Sequence, residues 1–354
     1  MASHRRPSQS GLGQSMRVTV LSAAVATAAA ALSAAPATAR PGDTADDSKA
    51  TGTVRAQLDR LYEQAERATE KYNAAGERAD ALRERVEQAA DRVARGQEQV
   101  NRMRTALGMI ATAQYRNGAV DPAIELLLSS DPDGYLDRAA TLDRVTGRQA
   151  GQLRSLLAAQ RTLRQERQEA ARTLAELEAS RAAVERHKEE VEGKLAEARR
   201  LLNSLPEPAR ADYARSSRSG ERAAGSLHAG GLLPDLSAIS GRGAAAAMAV
   251  RSAVGSPYAW GATGPGAFDC SGLMQWAYGR AGVGLPRTSQ AQRNAGRHVS
   301  LADARPGDLV IYRDDASHVG MYVGNGQVVH APYPGARVRY DPANMMPISS
   351  VTRP

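Results

Sequence analysis

From Val54 onward, apolar and small residues recur at steps of four and three. They are Val54, Leu58, Leu61, Ala65, Ala68, Tyr72, Ala75, Ala79, Leu82, Val86, Ala89, Val93, Gly96, Val100, Met103, Leu107 and Ile110. A pattern sustained over that many heptads leaves little choice of fold: a long helix must lay this stripe against another helix. Only Gly96 departs from the apolar rule. At 1.5 Å per residue the helix runs roughly 85 Å. A second, noisier seam covers about 135–205: Leu142, Val145, Leu156, Ala159, Leu163, Ala170, Leu177, Val184, Val191, Ala198, Leu201 and Leu205. Its register also turns Gln149, Gln152, Glu166 and His187 inward. Two helices of similar length joined by a short irregular segment predict an antiparallel coiled-coil hairpin over 52–205. His187 is read as a polar seam residue, not a ligand.

Asn117-Gly118, Asp121-Pro122 and Asp131-Pro132-Asp133-Gly134 break the helix between the two arms. The run Ala123-Ile124-Glu125-Leu126-Leu127-Leu128 between them is too apolar for a solvated tip. It either folds back on the helices or docks a partner. Residues 206–243, rich in Ser, Gly, Arg, Ala and Pro, lack periodicity and read as a flexible linker in which His228 has no specific role.

The N-terminus has its own logic. Arg5, Arg6 and Arg17 precede an apolar run, Val18 to Ala35, and Ala37-Thr38-Ala39 offers a small-x-small cleavage site. Residues 1–39 are expected to be a signal peptide cut after Ala39, with Met16 as a second plausible start. No later segment reaches the ~18 consecutive apolar residues of a membrane span, so the mature chain is expected outside the cytoplasmic membrane. The net charge of +8 rests mostly on arginine. Aromatic residues are only 4% of the chain, too few for a nucleic-acid stacking platform. A polyanionic surface such as a cell wall is the better electrostatic partner.

From residue 244 the pattern shifts to short helices followed by short strands, an α+β domain over 244–354. Its centre is Phe268-Asp269-Cys270-Ser271-Gly272, which follows a Gly/Pro-rich loop and opens an apolar helix face of Leu273, Met274, Trp276 and Ala277. Cys270 is the only cysteine of 354 residues, which excludes an intramolecular disulfide. A thiol at a helix N-terminus feels unpaired backbone N–H groups and the positive end of the dipole, and both favour thiolate. A helix is expected over Ala244 to Val254, and another starts at Arg287-Thr288-Ser289-Gln290 with Thr288 or Ser289 as N-cap. Leu309-Val310-Ile311-Tyr312 reads as a buried strand.

His318 to Val323 and Gln327 to Ala331 read as a β-hairpin around Gly324-Asn325-Gly326. A two-residue Asn-Gly turn would pair Val323 with Val328 and put His318 and His330 on opposite faces. A three-residue loop with a bulge shifts the register by one. His318, Tyr322 and His330 then share a face, Gly320 lies opposite His330, and Val319, Met321, Val323 and Val329 form a uniformly apolar core side. The pattern favours the shifted register.

A cysteine and two histidines are what thiol hydrolysis needs: a nucleophile, an imidazole to exchange its proton, and a third polar group to fix the imidazole's tautomer. The same three residues could bind zinc, but a fourth ligand is not evident and the spacing matches no familiar zinc pattern, so neither metal nor cofactor is expected. His298 reads as a surface residue.

Five motifs carry a resemblance: Pro257-Tyr258-x-Trp260-Gly261, Phe268-Asp269-Cys270-Ser271-Gly272-Leu273, Leu285-Pro286-Arg287-Thr288-Ser289, Arg305-Pro306-Gly307-Asp308-Leu309-Val310, and His318-Val319-Gly320-x-Tyr322-x-Gly324 with Val329-His330-Ala331. In this order, over about 244–342, they resemble the NlpC family of papain-like cell-wall endopeptidases. The resemblance implies Cys270 as nucleophile with its backbone N–H in the oxyanion hole, His318 as general base and His330 as the orienting third residue. It also implies Tyr258 beside the thiolate, with Asp269, Ser271 and Arg287 shaping the substrate groove. The implied substrate is the peptidoglycan stem peptide, commonly cut between D-glutamate and diaminopimelate. The hairpin, with Tyr115-Arg116-Asn117-Gly118 and the apolar tip, is similar to the coiled coils of PcsB-like division hydrolases. That similarity implies an FtsE–FtsX-like membrane complex as partner, at the tip near Leu126, Leu127 and Leu128, and a peptidase held inactive until the complex moves.

The sequence therefore reads as a papain-like α+β catalytic domain behind a regulatory coiled-coil hairpin, secreted to the cell wall, hydrolysing peptidoglycan in remodelling or daughter-cell separation. The rival is a non-enzymatic scaffold that activates other wall hydrolases, whose mark would be loss of Cys270 or His318; both are present. An acyltransferase on the same fold is a third reading, disfavoured by the exported, wall-facing context.

Overall fold

The computed structural model describes residues 44–116, 122–128, 134–213 and 241–354. The expected signal peptide and most of the expected linker lie outside the described residues. Helix α1 spans Thr44–Arg116, a short α2 spans Pro122–Leu127, and α3 spans Tyr135–Ser204. At 73 residues α1 is about 110 Å long. The arms run antiparallel: the Ser180 hydroxyl donates to the Ala75 carbonyl at 2.9 Å, Arg92 pairs with Glu169, and Leu58, Leu61 and Ala65 pack with Val191, Leu195 and Ala198.

Every α1 residue of the expected seam is buried or half-buried. Gly96 fits because a Cβ there would lie 2.9 Å from Glu166 Oε2 and 3.3 Å from Leu163 Cδ1. On α3, Leu156, Leu163, Leu177, Val191 and Ala198 are buried as expected. Val145 and Gln152 instead face solvent, while Thr173, Ser180 and Leu195 join the seam. The α3 register drifts because straight helices of 3.6 residues per turn do not hold a strict seven-residue repeat. At the far end Leu127 and Leu128 are strongly exposed and Leu126 is half-buried. A helical segment over 207–213 occupies the start of the stretch read as linker, and its Tyr213 hydroxyl meets Asp59 at 3.1 Å.

The C-terminal domain contains α4 (Arg242–Ser252), α5 (Cys270–Arg280) and α6 (Ser289–Gln292). Its antiparallel sheet has six strands: β1 (Arg297–Val299), β2 (Leu309–Tyr312), β3 (His318–Gly324), β4 (Gln327–His330), β5 (Arg339–Pro342) and β6 (Ile348–Arg353), in the order β1-β6-β2-β3-β4-β5. Strands β1, β5 and β6 have no continuous apolar run, so the sequence did not announce them. One sheet face, with Leu309, Ile311, Val319, Met321, Val323 and Val329, packs under α4 and α5. The other carries Val310, Tyr312, Val328 and Val351.

The β3–β4 pairing has the shifted register, with Met321 opposite Val329 and Tyr322 opposite Val328. The device differs from expectation. Asn325 and Gly326 both have positive φ (53° and 70°) and form a two-residue turn closed by Gly324 and Gln327. The extra residue is a bulge in β3, between Tyr322 and Gly324. The bulge puts His318 and His330 on one face. Gly320 leaves them room, since a Cβ there would lie 3.3 Å from that of His330.

Candidate active site

Asp269 caps α5, accepting from the Gly272 amide at 2.7 Å, which makes Cys270 the first residue of the helix. The same carboxylate accepts from the Gly261 amide at 2.9 Å and from Arg287 at 3.0 Å, so both of its oxygens serve to bind the preceding loop and Arg287 to the helix start. Gly272 is required by close approach: a Cβ would sit 2.2 Å from the Ala262 carbonyl oxygen. Gly272→Ala is expected to cost about 3 kcal/mol of stability, measured as a lowered denaturant midpoint at unchanged slope.

A ring nitrogen of His318, a carboxylate oxygen of Glu66 and the Cys270 sulfur lie within 4.8 Å of one another. Behind them His318 Nε2 meets His330 Nδ1 at 2.7 Å, and His330 Nε2 meets Asp341 Oδ2 at 2.7 Å. The three residues predicted for catalysis are thus in line, extended by an aspartate that the sequence reading missed. Ser271 and Arg287 share a 2.9 Å hydrogen bond. Tyr258 is buried, and its hydroxyl has no hydrogen-bond partner among the described residues. Burial, then the neighbouring Cys270 sulfur, push that phenol well above its usual range. His298 is exposed on β1, and His187 is half-buried, 3.3 Å from Glu190.

Helix α1 fills the cleft. Glu66 and Glu70, one turn apart, both enter it. Glu66 binds His318 Nδ1 and, at 2.7 Å, Arg313. Glu70 accepts from the Ser271 hydroxyl and the Ser289 amide, each at 2.7 Å, and lies 3.6 Å from the Cys270 sulfur. One further turn on, Asn73 donates to Asp269 at 3.1 Å. Flanking contacts seal the edges: Tyr62 stacks on Tyr333, Tyr72 meets Trp260 edge-on, and Arg67 pairs with Asp315. Cys270 and His318 consequently have no exposed surface.

The electrostatics of the closed cleft oppose thiolate. Burial, then the charges of Glu70, Glu66 and Asp269, push the Cys270 thiol far up. Burial and the Asp269 charge raise Glu70 to about 7, despite its hydrogen bonds from Ser271 and Ser289. Burial would raise Glu66 as well, but His318 and Arg313 beside it prevail and hold its carboxyl below the usual range. Burial drives His330 down to about 4, against the opposing pull of Asp341. Glu66, Cys270 and His318 also have the donor types of a zinc site, but here the Glu66 carboxylate is engaged by Arg313 and His318.

Residues 255–352 match the NlpC/P60 family. The chain is 47% identical over 111 residues to a probable endopeptidase of Corynebacterium glutamicum, covering 31% of this chain and 53% of that one. It is 48% identical over 98 residues to a probable endopeptidase of Mycobacterium tuberculosis, covering 28% of this chain and 26% of that one. The crystal structure of the P60 domain of antigen MAP1204 from M. avium subspecies paratuberculosis is 36% identical, covers 32% of this chain and 93% of that one, and gives a TM-score of 0.30. The chain spans about half the length of the corynebacterial relative and about a quarter of the mycobacterial one. The matched segment holds Cys270, His318 and His330 together with the antiparallel sheet that aligns them, so the C-terminal domain of this chain is an NlpC/P60 domain.

Proposed function

We propose that the protein is a cysteine endopeptidase of peptidoglycan whose active site is closed by its own helix α1. The observation that carries the reading is the alignment of the α5 N-terminal thiol with His318 and His330 inside an NlpC/P60 domain. The relatives named as probable endopeptidases support it. In the open cleft the Cys270 sulfur attacks the scissile carbonyl carbon while His318 takes the thiol proton at Nδ1. The Cys270 backbone N–H steadies the oxyanion, His318 returns the proton to the departing amine, and water then hydrolyses the thioester. Tyr258, Ser271 and Arg287 line the groove for the stem peptide, and Asp269 holds that groove in shape. The bond is the D-glutamyl–diaminopimelate amide, and the setting is the cell wall after export, during remodelling or daughter-cell separation.

Closure by α1 gives the hairpin its role. Glu66 meets His318 at Nδ1 and so takes the place beside that ring which the thiolate would occupy. An FtsE–FtsX-like complex gripping the exposed tip at Leu127 and Leu128 would move α1 as a lever. Digestion of purified peptidoglycan by the full chain carrying Glu66→Ala and Glu70→Ala, read by mass spectrometry, tests the activity and identifies the bond. If no cleavage is seen, the scaffold reading takes its place.

Closure is also pH-dependent. A carboxyl held at about 7 in the closed form and near 4.5 in water favours closure while it is protonated, so closure weakens as pH rises from about 4.5 to 7. Glu66 has the opposite sign, and its contribution is lost only below about 4.5. Between pH 5 and 7.5 the rate of Cys270 alkylation, divided by that of the non-titrating Glu70→Gln variant at the same pH, is expected to rise about tenfold or more. A flat ratio would show that Glu70 does not titrate on opening.

A further inference from the structure

We infer that Asp341 is the positioning residue that sets the tautomer of His330 and, through it, the proton-accepting edge of His318. The inference rests on the peptidase reading above for its consequence, but its geometry stands alone. In β4–β5 pairing His330 lies opposite Arg339, and Asp341 is two residues along the same face of β5. Asp341 Oδ2 receives both His330 Nε2 and Arg339 Nε, each at 2.7 Å. His330 is almost wholly buried, so bulk water cannot choose its tautomer.

An ionised carboxylate only accepts hydrogen bonds. Asp341 therefore requires the proton of neutral His330 on Nε2 and leaves Nδ1 as a bare acceptor. His330 Nδ1 in turn accepts from His318 Nε2–H across 2.7 Å. Once Glu66 withdraws, neutral His318 has its lone pair on Nδ1, the edge that faces Cys270. Without Asp341 the His330 proton is free to occupy Nδ1. His318 Nε2 must then accept, its proton moves to Nδ1, and the ring can no longer take a proton from the thiol.

The test uses the full chain with Asp341→Leu, which removes the acceptor at similar volume, and Asp341→Asn, which keeps an acceptor oxygen and the shape. Ring-nitrogen NMR is expected to show His330 protonated on Nε2 in the parent and in Asp341→Asn, and a large Nδ1–H population in Asp341→Leu. In the Glu66→Ala/Glu70→Ala background, Asp341→Leu is expected to lower kcat by roughly 10–100-fold at unchanged KM, and Asp341→Asn by much less. His330 keeping its Nε2 proton in Asp341→Leu would overturn the inference, as would equal kcat in all three forms. If the background protein cuts nothing, the peptidase reading fails, and the NMR result still decides what Asp341 does.

Discussion

Replacing Glu66 and Glu70 together by alanine is expected to turn a nearly silent full-length protein into an active one. Each carboxylate makes two short hydrogen bonds inside the cleft. The Glu66 bonds, to His318 and the Arg313 guanidinium, contribute roughly 1.5–3 kcal/mol each and the Glu70 bonds to neutral donors roughly 0.5–1.5 each, and neighbouring contributions of this kind do not add in full. Loss of Glu66 also takes from Arg313 its nearest carboxylate, leaving Ser317 at 3.1 Å and Glu63 at 3.8 Å beside it. A combined loss of about 3–5 kcal/mol shifts the closing equilibrium by roughly 150- to 4,000-fold, so peptidoglycan cleavage should rise by about 100-fold or more. The contacts that remain across the cleft include the Asn73–Asp269 hydrogen bond, the Tyr62–Tyr333 and Tyr72–Trp260 ring contacts and the Arg67–Asp315 pair. Partly exposed ion pairs of that last kind contribute little. Thiol alkylation should rise in parallel, because opening both admits the reagent and removes the two hairpin carboxylates that, after burial, do most to suppress thiolate.

The second large effect is loss of chemistry. In the released background, Cys270→Ala and His318→Ala should each lower the cleavage rate by about 10⁴-fold or more, and together by little beyond either alone, because members of one catalytic unit are not additive. Steady-state rates on purified peptidoglycan measure both. Equal folding stability of the variants, measured by denaturant midpoint, would separate lost chemistry from lost structure.

What the sequence made legible follows from where its patterns are periodic. The α1 seam could be read residue by residue because its spacing of four and three ran the length of the helix. The shared face of His318 and His330 was legible because a one-residue slip would have turned Val329 to the opposite face from Val319, Met321 and Val323. The place of the bulge was not, since a left-handed Gly326 suits either loop. Glu66, Glu70 and Asn73 were invisible as site residues. On a helix surface a carboxylate facing water and one facing a thiol some 200 positions along the chain look alike. The one available signal was a second face beside the seam: Tyr62, Glu66 and Asn73 recur at four and seven residues along an alanine-rich helix. Asp341 was missed because strand β5, Arg-Tyr-Asp-Pro, has no apolar run to mark it, and its pairing with β4 is a tertiary fact.

The most direct measurement compares three full-length proteins on purified peptidoglycan, with released muropeptides read by mass spectrometry: the natural sequence, Glu66→Ala/Glu70→Ala, and that pair with Cys270→Ala added. The account predicts almost no product from the first, abundant stem-peptide fragments from the second, and none from the third. Equal product from the first two would contradict closure by α1, and product from the third would contradict Cys270 as the nucleophile.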